Sequence, residues 1–404
     1  MSLRRHESEG QTVYGVYCDS HELGCIVVDS TICGRARGGL RMVADVSEGE
    51  LRAAARAMTL KYGFLGLPQG GAKAGIRSDA EASAGDRRQA LSSFGRAALP
   101  LLRDQTYVPD ADLGTAADDI RWMMRSVGLP MTPRDWRSNR SGEYTARSCL
   151  ASIEASLEWL GGALRECRVA VEGFGKVGSA LARLLDERGA RVIAVSTSCG
   201  ALYRAEGLDI QRLLRRVAEV GSRVVEDHPE AERIDRAALL ELQADVLAPC
   251  ARFQSIDSGN AGRIMARIVC AGANDPVTPA AADVLRSRGI LHPPDFVTNC
   301  GGVLGGTLEF AGVSPDRIAR FIDERMQEQV GQLLRRADRS GQTLRAIAEG
   351  LALERHERIR RAAEKPGLLG RLVRMGIDSY RRRWIPERMV SWLAPRYVGR
   401  RMPT

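Results

Sequence analysis

Lysine is nearly missing from this chain: of 59 basic residues only Lys61, Lys73, Lys176 and Lys365 are lysines. Where arginine is favoured this strongly, a surviving lysine points to a place where a guanidinium cannot serve, such as one that must release a proton near neutral pH. Long apolar runs are missing too, since no stretch approaches the roughly 18 residues that a membrane-spanning helix needs. The opening MSLRRHESEG carries charges where a secretory signal would have an apolar core, so a cytoplasmic protein is expected. The nine cysteines are odd in number and scattered, with no Cys-x-x-Cys pair. That argues against a disulfide framework and a zinc site, and no metal is expected.

What is present is a 404-residue chain with 44% hydrophobic and 27% charged residues, a soluble globular composition long enough for two domains. Its net charge of +9 is concentrated at one end: Arg371 to Thr404 holds nine arginines against Asp378 and Glu387. The body is therefore nearly neutral, and with no recognition motif beside the charge a nucleic-acid partner is disfavoured. In the tail Leu368, Leu372, Gly376, Tyr380 and Trp384 recur every four residues, with Trp392 beyond and arginines between. The spacing predicts a basic amphipathic tail over 366–404 that packs on its own subunit or across an oligomer interface. Docking on an anionic membrane or a protein partner is the alternative.

In the body, strand-like runs at Val13–Val16 and Gly24–Val28 precede a helix over Glu48–Tyr62, whose apolar residues share one face and whose C-terminal end carries Lys61. Gly66–Gly75 (GLPQGGAKAG) reads as a glycine-rich loop with Lys73 inside it. A helical run over Arg87–Leu102 leads to Tyr107–Thr115, where Thr115 and Asp118 have capping-box spacing and Asp112 lies just before the helix they open. The polar stretch Thr132–Gly142 is the best domain boundary. Beyond it, strand-like and helical segments alternate from Arg168 to Thr298, the order of a parallel sheet wrapped by helices.

Within that alternation Gly173, Gly175 and Gly178 have GxGxxG spacing between a buried strand and a helix. The first two glycines allow a tight turn and close approach of a pyrophosphate, the third permits helix–strand packing, and the helix N-terminus supplies donors. Phe174, Lys176 and Val177 complete this cofactor loop. At the end of the next strand an acidic residue would grip an adenosine ribose, but Thr197 and Ser198 stand there instead. The lack of a carboxylate removes repulsion against a 2′-phosphate, and Arg204 is a candidate partner for it, a weak lean to NADP or to dual use with NAD.

A series of motifs in a fixed order carries a resemblance. Gly38-Gly-Leu-Arg41, Met58-Thr-Leu-Lys61, Leu67–Ile76 (LPQGGAKAGI) and Pro109–Thr115 (PDADLGT) come first, followed by Ala248-Pro-Cys250, Ala271-Gly-Ala-Asn274, Pro276–Pro279 and Asn299-Cys-Gly-Gly-Val303. Together they resemble the glutamate/leucine/phenylalanine/valine dehydrogenase family over roughly residues 13–361. The resemblance implies NAD(P)-linked, reversible oxidative deamination of an L-amino acid to a 2-oxo acid and ammonium, by a homo-oligomer. It implies that Lys61 holds the substrate carboxylate, with Gly39 beside it. It further implies that Lys73 activates water near the α-carbon, with Lys61 as its neighbouring charge, a proton-handling task arginine cannot perform. Asp112 would shuttle a proton between the substrate nitrogen and water. Thr145, Ala273 and Asn274 correspond to nicotinamide contacts, and Asn299 to a substrate-side asparagine.

The chain departs from the family pattern in places. The Ala-Thr-Gly-x-Gly helix start is replaced by Tyr144-Thr-Ala-Arg-Ser148, with neither glycine. Where glutamate-specific members hold the distal carboxylate with a lysine and a serine, this chain has Arg37 and Gly306. Arg37 favours an acidic substrate and Gly306 a bulkier or apolar one; the positive partner at Arg37 puts glutamate slightly ahead of branched-chain substrates. The fold expected is α/β: a substrate-binding and oligomerisation domain over 1–142, a Rossmann-type dinucleotide-binding domain over 143–330, helices returning to the first domain over 331–365, and the basic helical tail. The function expected is the dehydrogenase reaction, and the alternative a non-catalytic ligand-binding paralogue acting through its tail.

Overall fold

The computed structural model describes residues 1–18, 21–78, 82–132, 140–226, 228–251, 253–364, 375–376, 379–380 and 383–402. The chain divides into two compact units, one of Met1–Asn139, Phe310–Gly312 and Glu349–Met402, the other of Arg140–Glu309 and Val313–Ala348.

The first unit is built on six strands: β1 (Ser2–Ser8), β2 (Gln11–Cys18), β3 (His21–Val28), β4 (Ala36–Val43), β5 (Gly70–Arg77) and β6 (Val108–Ala111), in the order β1-β2-β3-β5-β4-β6. Helix α1 (Glu48–Phe64) follows β4, and α2 (Ala84–Ala97), α3 (Leu99–Arg103) and α4 (Ala117–Ser126) follow later. Side chains alternate along the strands, so the sheet has two core faces. Leu40, Met42, Ala72, Ala74 and Ile76 pack with Leu91 and Phe94 of α2 and Ile120 and Met123 of α4. On the other face Val13, Cys25 and Val27 pack with Leu51 and Ala55 of α1.

The glycine-rich segment is not a loop: from Gly70 it is a central, buried strand. Glycine normally weakens strands, but here it permits close approach of a helix. A Cβ at Gly71 would run into the Thr59 backbone, and one at Gly75 would lie 2.8 Å from Leu51, so α1 rests directly on β5. The expected capping box also differs. Asp119 accepts from the Ala116 N–H at 2.8 Å, while the Thr115 hydroxyl donates to Leu40 O at 2.8 Å and accepts from the Asp112 N–H at 2.9 Å.

The second unit opens with α5 (Ser141–Trp159), followed by β7 (Arg168–Glu172), α6 (Lys176–Glu187), β8 (Arg191–Thr197), β9 (Gly200–Tyr203), α7 (Ile210–Val220), β10 (Glu232–Ile234), α8 (Arg236–Leu240), β11 (Val246–Pro249) and β12 (Ile268–Val269). Then come α9 (Pro279–Ser287), α10 (Asp295–Thr298), α11 (Gly301–Phe310), α12 (Pro315–Ser340) and α13 (Leu344–Glu364). The sheet order is β10-β9-β8-β7-β11-β12, with β8, β7, β11 and β12 parallel and β9 and β10 an antiparallel extension. The chain leaves β7 on one side through β8 and returns to its other side as β11. That makes the carboxyl ends of β7 and β11 the topological switch point where such sheets take ligands.

The last part of the chain rejoins the first unit. Arg355 of α13 donates to Phe64 O at 2.6 Å, binding a carbonyl at the C-terminal end of α1. Residues 133–139 of the expected boundary, and residues 366–374, 377–378, 381–382 and 403–404 of the expected tail, with Leu368 and Leu372 among them, lie outside the described residues. Where the tail is described, it is not one continuous helix. Tyr380 is buried against Phe310, whose carbonyl accepts from its hydroxyl at 2.9 Å, Arg383 has a φ of +64°, and α14 (Glu387–Arg401) starts only after Pro386. Its exposed face carries Trp392, with the Arg396 guanidinium 3.9 Å from the ring centroid. No helix among the described residues is long and apolar enough to cross a membrane.

Candidate active site

In the first unit the strand registers place Arg37, Gly39 and Arg41 of β4 on the same sheet face as Gly71, Lys73 and Gly75 of β5 and Asp110 of β6. Asp112 follows directly on β6. The three glycines on that face let α1 and Asp112 approach closely, and Arg41, Lys73 and Asp112 meet beside them. Gly39 is required there, because a Cβ would come within 2.7 Å of the Asp112 Cβ. Lys73 is 4% exposed, and its Nζ lies 2.8 Å from Asp112 Oδ2. Arg41 Nε donates to the same oxygen at 3.1 Å, and its Nη1 binds Glu50 of α1. Burial alone would push the Asp112 carboxyl up, but the charges of Lys73 and Arg41 outweigh it and hold it well below the usual carboxylate range. The charge that touches Lys73 is thus a carboxylate, with Arg41 on its far side.

Lys61 is 5% exposed in the last turn of α1, next to the buried Tyr62. Burial pushes the Tyr62 phenol up; Arg37 opposes that shift and Asp110 adds to it, so both charges lie close to this turn. Arg37 itself is paired: its Nη2 donates to Asp110 Oδ2 at 3.0 Å. Arg41 and Glu50 were not singled out from the sequence, and Thr115 was read only as a helix cap. The Arg41 of the Gly-Gly-Leu-Arg motif was the available signal, two residues from Gly39 and hence on the same strand face.

In the second unit Gly173 has a φ of +95°, and a Cβ there would meet Ala251 at 2.6 Å. Gly178 abuts the carbonyl of Gly173, and Gly175 is the N-cap of α6 with open space around it and no side chain capping the helix. The Phe174 ring is buried in the core, so the loop offers backbone to a ligand, with Gly175 and Lys176 exposed. These features fit a pyrophosphate: a cradle a side chain would fill and free donors at a helix N-terminus.

At the end of β8, Thr197 donates to Ser222 O at 2.6 Å and accepts from the Cys199 N–H, so its hydroxyl is spent on the turn, while Ser198 is exposed. Arg204 is not at this corner. Its backbone N–H bonds Ile193, four residues before Thr197, and its side chain pairs with Glu230 at 3.0 Å. Arg233 of β10 is there instead, donating to Cys199 O at 3.0 Å. Only the antiparallel β9–β10 return brings it in, a pairing absent from the sequence reading.

At the switch point Asn299 Nδ2 donates to Ala273 O at 2.7 Å and to Asn274 Oδ1 at 3.1 Å. Its own Oδ1 is buried without a partner among the described residues, an unsatisfied acceptor. The adjoining corner is held by Ser148, whose hydroxyl accepts from the Gly301 N–H at 2.9 Å and donates to Thr298 O at 2.8 Å. The glycines missing from α5 have counterparts on α11, where Gly301, Gly302 and Gly305 lie against Tyr144, Ser148 and Thr145. Thr145 donates to Ser141 O within its own helix, and Gly306 has nothing within 4 Å of a would-be Cβ.

Residues 138–365 match the profile described as glutamate/leucine/phenylalanine/valine dehydrogenase, and residues 20–128 match that of the Glu/Leu/Phe/Val dehydrogenase dimerisation domain. The chain belongs to this dehydrogenase family. It is 32% identical over 341 residues to a glutamate dehydrogenase of Thermotoga maritima, covering 80% of this chain and 82% of the relative. To an NADP-specific glutamate dehydrogenase of Saccharolobus shibatae it is 30% identical over 357 residues, covering 83% of each. Among solved structures, the Leu-bound hetero-hexameric glutamate dehydrogenase of Thermus thermophilus matches with a TM-score of 0.75 and 28% identity, over 89% of this chain and 90% of that one. The two-domain α/β fold with a dinucleotide-binding second domain is thus the family's, and the chain is an NAD(P)-dependent amino acid dehydrogenase.

Proposed function

We propose that this dehydrogenase carries out the reversible oxidative deamination of an L-amino acid to its 2-oxo acid and ammonium, using the residues named above. The observation that carries the assignment is the Lys73–Asp112 pair at 2.8 Å, with Lys73 buried and Asp112 partly exposed, because an acid and an amine in contact can pass protons between substrate nitrogen, water and solvent. Lys61 holds the substrate carboxylate. Asp112 takes a proton from the substrate amine, and Lys73 deprotonates the water that attacks the α-carbon. Arg41 and Thr115 fix Asp112 for this task. A bound nicotinamide cofactor supplies the hydride acceptor. The Gly173–Gly178 loop holds the pyrophosphate, and Asn274, Ala273 and Thr145 orient the nicotinamide, so the chain's contribution is placement, charge and exclusion of water. In this reading the first unit is the substrate and oligomerisation domain, and the chain works as a homo-oligomer.

Glutamate stands slightly ahead of branched-chain substrates, supported by the cation at Arg37 and by the names of the two curated relatives. The open space at Gly306 keeps larger side chains in contention. Dual cofactor use with a lean to NADP is supported by the absent ribose acid, by Arg233 at the β8–β9 turn, and by the NADP-specific relative. The test follows nicotinamide absorbance at mildly alkaline pH, with NAD and NADP offered separately against L-glutamate, leucine, valine and phenylalanine. Turnover with at least one pair is expected; folded, cofactor-binding protein that turns over none of them would remove the reading.

A further inference from the structure

The position read as the grip for a distal substrate carboxylate, Arg37, already has a carboxylate on it from the chain itself. Arg37 lies on β4 and Asp110 on the neighbouring β6, in register two residues apart, and the guanidinium donates to Asp110 Oδ2 at 3.0 Å. The other carboxylate oxygen is pinned as well, accepting from the Ala111 N–H at 2.9 Å. Both side chains are about one-third to two-fifths exposed, at 34% and 41%, so the pair sits where an incoming group would meet it. The rest of the face is similarly self-matched, with Lys73 and Arg41 on Asp112 and Arg41 also on Glu50. Across Arg37, Arg41, Lys61 and Lys73 against Glu50, Asp110 and Asp112, one formal positive charge is in excess.

We propose that Asp110 is a specificity-determining residue that competes with the distal carboxylate of a dicarboxylic substrate for Arg37, and so narrows the margin between glutamate and amino acids with neutral side chains. The physical ground is that a bound dicarboxylate must either displace Asp110 from the guanidinium or share it, placing two like charges on one cation, whereas a neutral side chain leaves the pair intact. Asp110 acts through Arg37 and touches none of the reacting atoms. The proposal rests on the dehydrogenase reading above.

The experiment compares kcat/KM for L-glutamate with kcat/KM for L-leucine in the full-length protein and in Asp110→Asn, which is isosteric and keeps an oxygen for the Ala111 N–H. The ratio of glutamate to leucine should rise about ten-fold or more, through a lower KM for glutamate at nearly constant kcat, the change expected when ground state and transition state gain the same binding energy. Asp110→Ser provides a second variant should the asparagine protein fail to fold. In an Arg37→Met background the same substitution should no longer move the ratio. Turnover with an unchanged ratio, or a change in kcat shared equally by both substrates, overturns the proposal and leaves the dehydrogenase reading standing. Absence of turnover with every amino acid in wild type and variant overturns both.

Discussion

His292 offers a pH-dependent test of how the nicotinamide side of the fold is held together. Its Nε2 is buried without a partner among the described residues. Burial, reinforced by the nearby Arg345 and only partly offset by Asp295, pushes the imidazole down to about 4 from its usual 6.5. The same Asp295 is ion-paired with Arg345 at 3.1 Å and accepts from the Asp275 N–H at 2.9 Å, so it anchors the residue next to Asn274. The folded state thus prefers neutral His292. The stability this gives is present above pH 6.5 and is lost as the pH falls toward 4, because the unfolded chain takes up the proton first. Between pH 7 and 5 the two pKa values correspond to a loss of about 2 kcal/mol. For a unit of this size that is a fall of about 4–8 °C in the unfolding midpoint. Other groups titrate too, so the informative measurement is the difference between wild type and His292→Gln across that interval, by thermal melts at fixed ionic strength. The variant should lose about 2 kcal/mol less than wild type. Parallel pH profiles for the two proteins would refute the assignment of a buried neutral histidine.

Lys73→Ala should lower kcat by roughly a thousand-fold while cofactor affinity, read by fluorescence titration, stays at the wild-type value; surviving turnover would show that Lys73 is not the proton-handling amine. Gly39→Ala forces a Cβ to within 2.7 Å of Asp112 and should displace that carboxylate, cutting turnover by about a hundred-fold without disturbing cofactor binding. Unchanged kinetics would mean that Asp112 has room to shift without loss of function. Ser148→Ala strips the Gly301 N–H and the Thr298 carbonyl of their partner in the core. It should destabilise the second unit by about 1–3 kcal/mol in denaturant unfolding, a cost that a variant of wild-type stability would disprove.

The sequence by itself determined the two-domain α/β class and the dinucleotide loop through local signals, glycine spacing after a buried strand and alternating strand and helix patterns, and it marked Lys61 and Lys73 as lysines left in an arginine-rich chain; most other candidate residues came from the resemblance of its motifs to a family. The Gly173–Gly178 turn is legible because one short segment contains both the glycines and the helix they open. Tertiary structure decided the rest. Gly70–Gly75 reads as a loop in isolation and becomes a buried strand because α1 lies on its glycines. Thr115 looks like a helix cap, yet its hydroxyl is spent on Leu40 and Asp112, because β4 and β6 meet beside it. Arg204 is near Thr197 in sequence, but the antiparallel return of β9 carries it away from that corner while β10 brings Arg233 in. Asp110 and Arg37 are 73 residues apart, and only the pairing of β4 with β6 puts one on the other. Charges acquire partners through strand order and register, which are set by which faces of distant segments can be buried together, and no local pattern contains that information.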